Sequence, residues 1–323
     1  MASDTTSPPP AIAPATSGSW FLLPRPVWTG LGLVSLVLQL VIYGRWLADG
    51  GYRLAPTRSP DDDFPIITQL AITAFYSVII IAGLVVYLRR MRREGRMNLE
   101  LAMCLGTFLS LWIEPLVNIR ATVMQYNAHG IGVISSWAPY VPGWSGQPAR
   151  YEPNLPLILV SAWVGGAIAG MTGCSLLIRL RRRHQLSTAR FIPLFVGTCI
   201  LFTLLADPLF YALGFFRWDS GITGFTLFPG TWHQFPVYET ICFSTLMLSY
   251  LAFYYWYRTK GTDFFDPSPT APRPLRRVIP VLAVIGVTNA IMLFYISILG
   301  TFGQFGTISP DHLPEFWVVP SPP

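Results

Sequence analysis

The sequence predicts an all-α fold: a polytopic membrane helix bundle of about seven transmembrane helices. Three observations carry that expectation. Hydrophobic residues make up 52% of the 323 positions and charged residues 12%, about half of the ~25% found in a soluble domain. Seven apolar runs each approach the roughly 20 residues that a helix needs to cross a bilayer. The basic residues gather in short clusters between alternate runs, the asymmetry that orients membrane proteins.

The runs cover approximately 27–48, 65–88, 98–117, 155–178, 191–211, 236–257 and 278–299. Each is expected to be helical, because lipid offers no water to an open backbone. Arg89, Arg90, Arg92, Arg93 and Arg96 follow the second run. Arg179, Arg181, Arg182, Arg183 and Arg190 follow the fourth, and Arg258, Lys260, Arg273, Arg276 and Arg277 follow the sixth. All fall on one side of a seven-span chain, which is read as cytoplasmic together with the N-terminus; the C-terminus is then extracytoplasmic. The expected organisation is a disordered tail over 1–24, a transmembrane domain over 25–300 and an extracytoplasmic tail over 301–323. A net charge of +6 dispersed in this way is no nucleic-acid footprint. Cys104, Cys174, Cys199 and Cys242 all lie inside apolar runs and are read as small buried residues.

The opposite side carries long aromatic loops, 119–154 and 212–235, with Trp137, Trp144, Trp218 and Trp232. An interfacial aromatic belt accounts for them; so does a folded cap over a pocket, since long loops with their own aromatics are usually functional. The chain also suggests an internal helix–loop–helix repeat, with units of about 98–178 and 191–257. The third run ends in Glu114-Pro115-Leu116 and the fifth in Asp207-Pro208-Leu209. Pro142-Gly143-Trp144 and Pro229-Gly230-Thr231-Trp232 follow in the respective loops, and the second loop enters its helix through Pro236-Val237-Tyr238-Glu239.

A carboxyl group inside a membrane span costs at least about 2.5–3.5 kcal/mol near the centre and is a functional candidate by default. The proline after each acid removes a helix N–H and leaves the carbonyl of Leu111 or Leu204 free, so each acid is expected at a kink or helix end facing protein. On α-helical spacing Glu100, Thr107, Ser110 and Asn118 share the stripe of Glu114. Two carboxyl groups in one apolar pocket, one holding its proton and the other ionised, form a general acid–base pair without a metal. Glu114, Asp207 and Glu239 are the candidate acids and bases, with His233 as a candidate proton shuttle. Trp112, Asn118, Trp137, Tyr140, Trp144, Tyr211, Trp232 and Tyr238 are the candidate substrate-binding residues. A purely structural role for the acids, bonding arginines or freed backbone groups, remains beside that reading. No cofactor or metal motif is visible, so the chemistry is expected to be acid–base chemistry on an apolar, lipid-like small molecule.

Three stretches resemble the actinobacterial AveC spirocyclase family: Trp112-Ile113-Glu114-Pro115-Leu116-Val117-Asn118, the run from Ser136 through Pro139 and Tyr140 to Trp144, and Ala206-Asp207-Pro208-Leu209 with Phe228-Pro229-Gly230. The resemblance covers about 99–257. It implies a polyketide substrate whose dihydroxy-ketone is closed into a spiroketal, sometimes with dehydration of the product, and it assigns no catalytic residue. Two other readings stay open: a transporter or lipid-binding protein, in which the repeat forms a path, and a structural partner of a larger complex.

Overall fold

The computed structural model describes residues 23–53, 66–126, 136–144, 156–212, 215–260, 263–266 and 271–311. Seven long or broken helical passes follow one another. They are α1 (Arg25–Ala48), α2 (Ile66–Glu94), α3 (Leu99–Phe108) with a 3-10 segment at Leu111–Asn118, α4 (Pro156–Arg183), α5 (Thr188–Ala212), α6 (Val237–Lys260) and α7 (Val278–Gln304). The arrangement is the expected all-α membrane bundle. Six passes are apolar and long enough to cross a bilayer, α3 and its 3-10 continuation counting as one. The seventh, α6, has 24 residues, about 36 Å of helix, but its polar and tyrosine-rich composition leaves it outside those six. Tyr238, Glu239, Thr240, Ser244, Tyr250 and Tyr254 are all buried in it. By contrast α1, α2 and α5 turn Leu33, Val34, Leu40, Phe75, Val78, Ile81, Leu201 and Leu205 outward, as helices that meet lipid must.

The last helix is the hub: α7 packs against α1, α3, the 3-10 segment and α6. Its contact with α1 is backbone to backbone. A Cβ on Gly32 would collide with the carbonyl of Leu282, and one on Gly286 with that of Trp28, so two glycines let the axes approach as small residues do in membrane bundles.

Local chemistry sets the breaks. Asn98 caps α3, its Oδ1 accepting from the Leu101 N–H at 2.9 Å while its Nδ2 donates to the carbonyl of Tyr87 at 2.7 Å. The α-helix ends at Phe108, and the chain continues as a 3-10 segment that contains Pro115, the residue that cannot donate to Leu111. The second proline behaves differently. Of the kink or helix end expected at Asp207, the helix end is absent: the α5 backbone runs on through Asp207 and Pro208 to Ala212, unlike the third pass, which changes to a 3-10 segment at its acid. At the arginine-bearing end the helices outrun the apolar runs by several residues, as in α2, where Arg90 Nε meets Glu94 one turn on at 2.6 Å.

The other end is closed by a cap. β1 (Met124–Tyr126), after the 3-10 segment, pairs antiparallel with β2 (Phe216–Trp218), which follows α5; Met124 faces Trp218 and Tyr126 faces Phe216. β3 (Thr226–Leu227) pairs with β4 (Phe235–Pro236), which leads into α6. The segment after α7 joins them through an antiparallel bridge between Gly221 and Ile308 and a bond from the Asp311 N–H to the Gly230 carbonyl at 2.9 Å. Buried Gln234 binds the carbonyls of both Trp218 and Ile308. Residues 1–22 of the expected tail and 312–323 lie outside the described residues; the tail expected from 301 begins later, because α7 extends to Gln304.

Candidate active site

Two carboxyl groups line one cavity beneath the cap. Glu114 comes from the 3-10 segment and Glu239 from the first turn of α6; they are 2% and 1% exposed. Each accepts a hydrogen bond from a tyrosine on a different element. The Tyr126 phenol, on β1, donates to Glu114 Oε1. The Tyr295 phenol, on α7, donates to Glu239 Oε1 at 2.8 Å. The walls are aromatic: Trp163 of α4, Phe210, Phe215, Phe216, Trp218 and Phe243. Trp163 packs edge-on against both Phe243 and Tyr295 at about 6 Å between ring centroids. The indole N–H of Trp218 is buried without a hydrogen-bond partner among the described residues. The cavity measures about 90 Å³, and no lysine, arginine or histidine is among its described lining residues.

A third buried acid provides the contrast. Glu100, at the arginine-bearing end, lies 3.2 Å from Arg90 and 3.4 Å from Arg258 and accepts from the Tyr254 phenol at 3.1 Å. That is a carboxylate held by cations. Glu114 and Glu239 each accept from a phenol within an aromatic lining, a setting of low polarity that favours the protonated form of a carboxyl group.

Of the residues singled out from the sequence, the structure brings Glu114 and Glu239 together. The side chains of Asp207 and Tyr211 lie outside the described residues. His233 sits exposed on the cap turn, its ring 3.3 Å from that of Trp232, and partial burial lowers its pKa below the ordinary histidine value; neither ring lines the cavity. Trp112 is in the core, donating from Nε1 to Asn289 Oδ1 at 2.9 Å. Trp137 donates to the Trp112 carbonyl and packs on Tyr43 and Trp46. Tyr140 donates to Asp49 Oδ2 at 2.7 Å, tying the cap to the end of α1. Trp144 is half-buried at the Pro-Gly turn. Tyr238 stacks on Phe302 and reaches the Ser220 carbonyl.

Asn118 has a definite task elsewhere. Its Nδ2 donates to the Met124 carbonyl at 2.8 Å, and its Oδ1 accepts from the N–H groups of Val123 and Met124 at 2.8 and 3.1 Å. It is a clamp that holds β1, and through β1 the phenol of Tyr126. The displacement from the expected stripe is geometric. A 3-10 turn advances 120° per residue, so a residue four positions past Glu114 points about a third of a turn away instead of sharing its face. Tyr126 escaped the sequence reading because loop closure, not periodicity, brings it to Glu114. Tyr295 carries no local signal either, because it is the packing of α7 on α6 that brings it to Glu239.

A family model described as Spirocyclase AveC-like matches residues 89–321 of the chain. No curated protein and no solved structure matches it. Glu114, Tyr126, Glu239 and Tyr295 all fall within the matched segment, whereas α1 and most of α2 precede it.

Proposed function

Because the chain belongs to the spirocyclase AveC-like family, we propose that it is a membrane-embedded, cofactor-independent cyclase that closes a dihydroxy-ketone of polyketide type into a spiroketal with loss of one water. The observation that carries this reading is the pair of carboxyl groups, each bound by a phenol, in one aromatic cavity under a cap. One hydroxyl adds to the ketone to give a hemiketal. A carboxylic acid then protonates the hemiketal hydroxyl, which leaves as water. The oxocarbenium ion is shielded by ring faces and the remaining carboxylate, and the second hydroxyl attacks the cation as that carboxylate takes its proton.

Glu239 suits the proton acceptor, because it lies in the first turn of α6, where unpaired N–H groups favour negative charge. Glu114 is then the donor. Trp218 offers a free N–H to a substrate oxygen. The cavity, at about 90 Å³, is smaller than the ~300–1,000 Å³ of pockets that enclose whole drug-sized ligands. It therefore takes the reacting carbon and its immediate neighbours, while the rest of a polyketide lies beyond it or displaces the cap. The arginine clusters at the end opposite the cap support an orientation with that end and the N-terminus in the cytoplasm.

The test compares metabolites from cells carrying the wild-type protein, Glu114→Gln or Glu239→Gln at equal protein level. The cyclase reading requires both variants to accumulate a compound heavier than the wild-type product by one water. An unchanged compound that merely redistributes between cells and medium sinks it in favour of a transporter or lipid-binding protein.

A further inference from the structure

A second, smaller chamber lies next to the acid cavity, with Trp163 as a wall common to both. It measures about 30 Å³, more than the ~10–15 Å³ that one water requires. Four hydroxyl side chains line it: Thr107, Ser110, Tyr250 and Thr288, all buried. Three of them spend their protons on backbone carbonyls. Thr107 donates to Met103, Ser110 to Thr107 and Thr288 to Val284 or Ile285, at 2.8–3.1 Å. Tyr250 lies 2.9 Å from the Thr107 hydroxyl and, with that proton already committed, donates to it. Their oxygens are left as acceptors, the lining that suits a water molecule and suits still better a water carrying an extra proton.

Further polar groups follow toward the arginine-bearing end. One turn along α6 from Tyr250, Tyr254 donates to Glu100, and Ser175 lies 2.9 Å from the Tyr254 hydroxyl. Glu100 itself is 5% exposed at its side chain but touches Arg90 and Arg258, which are 42% and 37% exposed. In the other direction Ser110 opens the 3-10 segment that carries Glu114, and Trp163 is the wall between their two cavities. Polar side chains thus recur in a column from a buried carboxylate at one end of the bundle toward the acid cavity at the other.

The proposed reaction creates a need for such a column. The dihydroxy-ketone loses one water and no net proton. The donor carboxyl, however, ends each turnover deprotonated, and the acceptor ends it protonated. The pair is inverted and must be reset before the next substrate, beneath a cap that covers the cavity. We propose that the hydroxyl-lined chamber holds water and, with Tyr250, Tyr254 and Glu100, forms the proton path that resets the Glu114–Glu239 pair, carrying the proton gained by Glu239 out to the arginine-bearing end and returning one to Glu114. This inference rests on the cyclase reading.

The path predicts a kinetic split, because a first turnover needs no reset. The full-length protein in lipid nanodiscs is assayed with a synthetic aliphatic dihydroxy-ketone, both with enzyme in excess and under multiple turnover. Tyr250→Phe, and separately Thr107→Val with Thr288→Val, are expected to keep the single-turnover rate within about twofold of wild type. Steady-state turnover is expected to fall about tenfold or more, the lower range for a lost proton-transfer group, and Thr107→Ser to restore it. The retained first turnover itself reports an intact fold. Equal slowing of both regimes, or of neither, overturns the path and leaves the cyclase reading intact. Wild-type protein that cyclises nothing overturns the cyclase reading, and the path with it.

Discussion

The Tyr295 hydroxyl, on the last helix, donates to Oε1 of Glu239 on α6 at 2.8 Å, joining the hub of the bundle to one of its two central carboxyl groups. Hydrogen bonds to charged groups are worth about 1.5–3 kcal/mol. Tyr295→Phe keeps the ring against Trp163 and Phe243 and removes only the donor. Cyclisation is expected to slow by roughly ten- to a hundredfold, at about 1.4 kcal/mol per factor of ten, with thermal unfolding in detergent little changed. A rate equal to wild type removes the phenol from the mechanism.

Asn118 satisfies three buried backbone groups of Val123 and Met124. Asn118→Ala strands them, at about 1–3 kcal/mol for each buried group left unsatisfied. The expected result is lower thermal stability, faster proteolysis within residues 119–126 and a loss of cyclisation that follows the misplacement of Tyr126. Were Asn118 to act only on substrate, activity would fall while stability and proteolysis stayed at wild-type values.

The contact of Gly32 and Gly286 with the facing backbone leaves no room for a side chain. Gly286→Leu is expected to destabilise the bundle by about 1–3 kcal/mol or more through overpacking. Gly30, on the same α1, meets nothing within 4 Å of an added Cβ, so Gly30→Leu is expected to stay within about 0.5 kcal/mol of wild type. Thermal unfolding of the two variants in one detergent checks the contrast.

Tyr140 holds the cap to the end of α1 through Asp49, and the bond to that carboxylate raises the Tyr140 pKa above its ordinary value. A raised folded-state value means that the tether's contribution is fully present below the unfolded tyrosine pKa of about 10 and is lost as pH rises through the folded value. Accessibility of the cap to protease is therefore expected to rise above about pH 10 in the wild type. Tyr140→Phe is expected to show that higher accessibility already at neutral pH, with no further step in the alkaline range.

The helices were legible because lipid-facing surface has to be apolar: the leucines and valines of α1, α2 and α5 appear as runs for the same reason that they are exposed in the fold. The interior was less legible. Nothing in a hydropathy run says that α6 is surrounded by protein, although its Glu239, Ser244, Tyr250 and Tyr254 are tolerated only there. Glu114 stood out as an acid in an apolar stretch. The stripe drawn through it assumed 100° per residue, and Pro115 lies in a segment that turns by 120°. That change moved Asn118 off the face of Glu114. Trp112 and Tyr238, two expected substrate-binding residues, point into the core. The phenol of Tyr126 is set by strand pairing with β2, a contact between residues about ninety positions apart, which no local pattern encodes.

The cap also carries an order in time. Its strands come from the stretches after the 3-10 segment and after α5, and its last bridge, from Gly221 to Ile308, needs residues that leave the ribosome only after α7. A nascent chain that has already inserted both acids therefore has no finished roof over them. The proposed acid pair is roofed only once α7 has been made and Ile308 and Asp311 have reached the cap, so a chain halted before that point carries the acids without their cover.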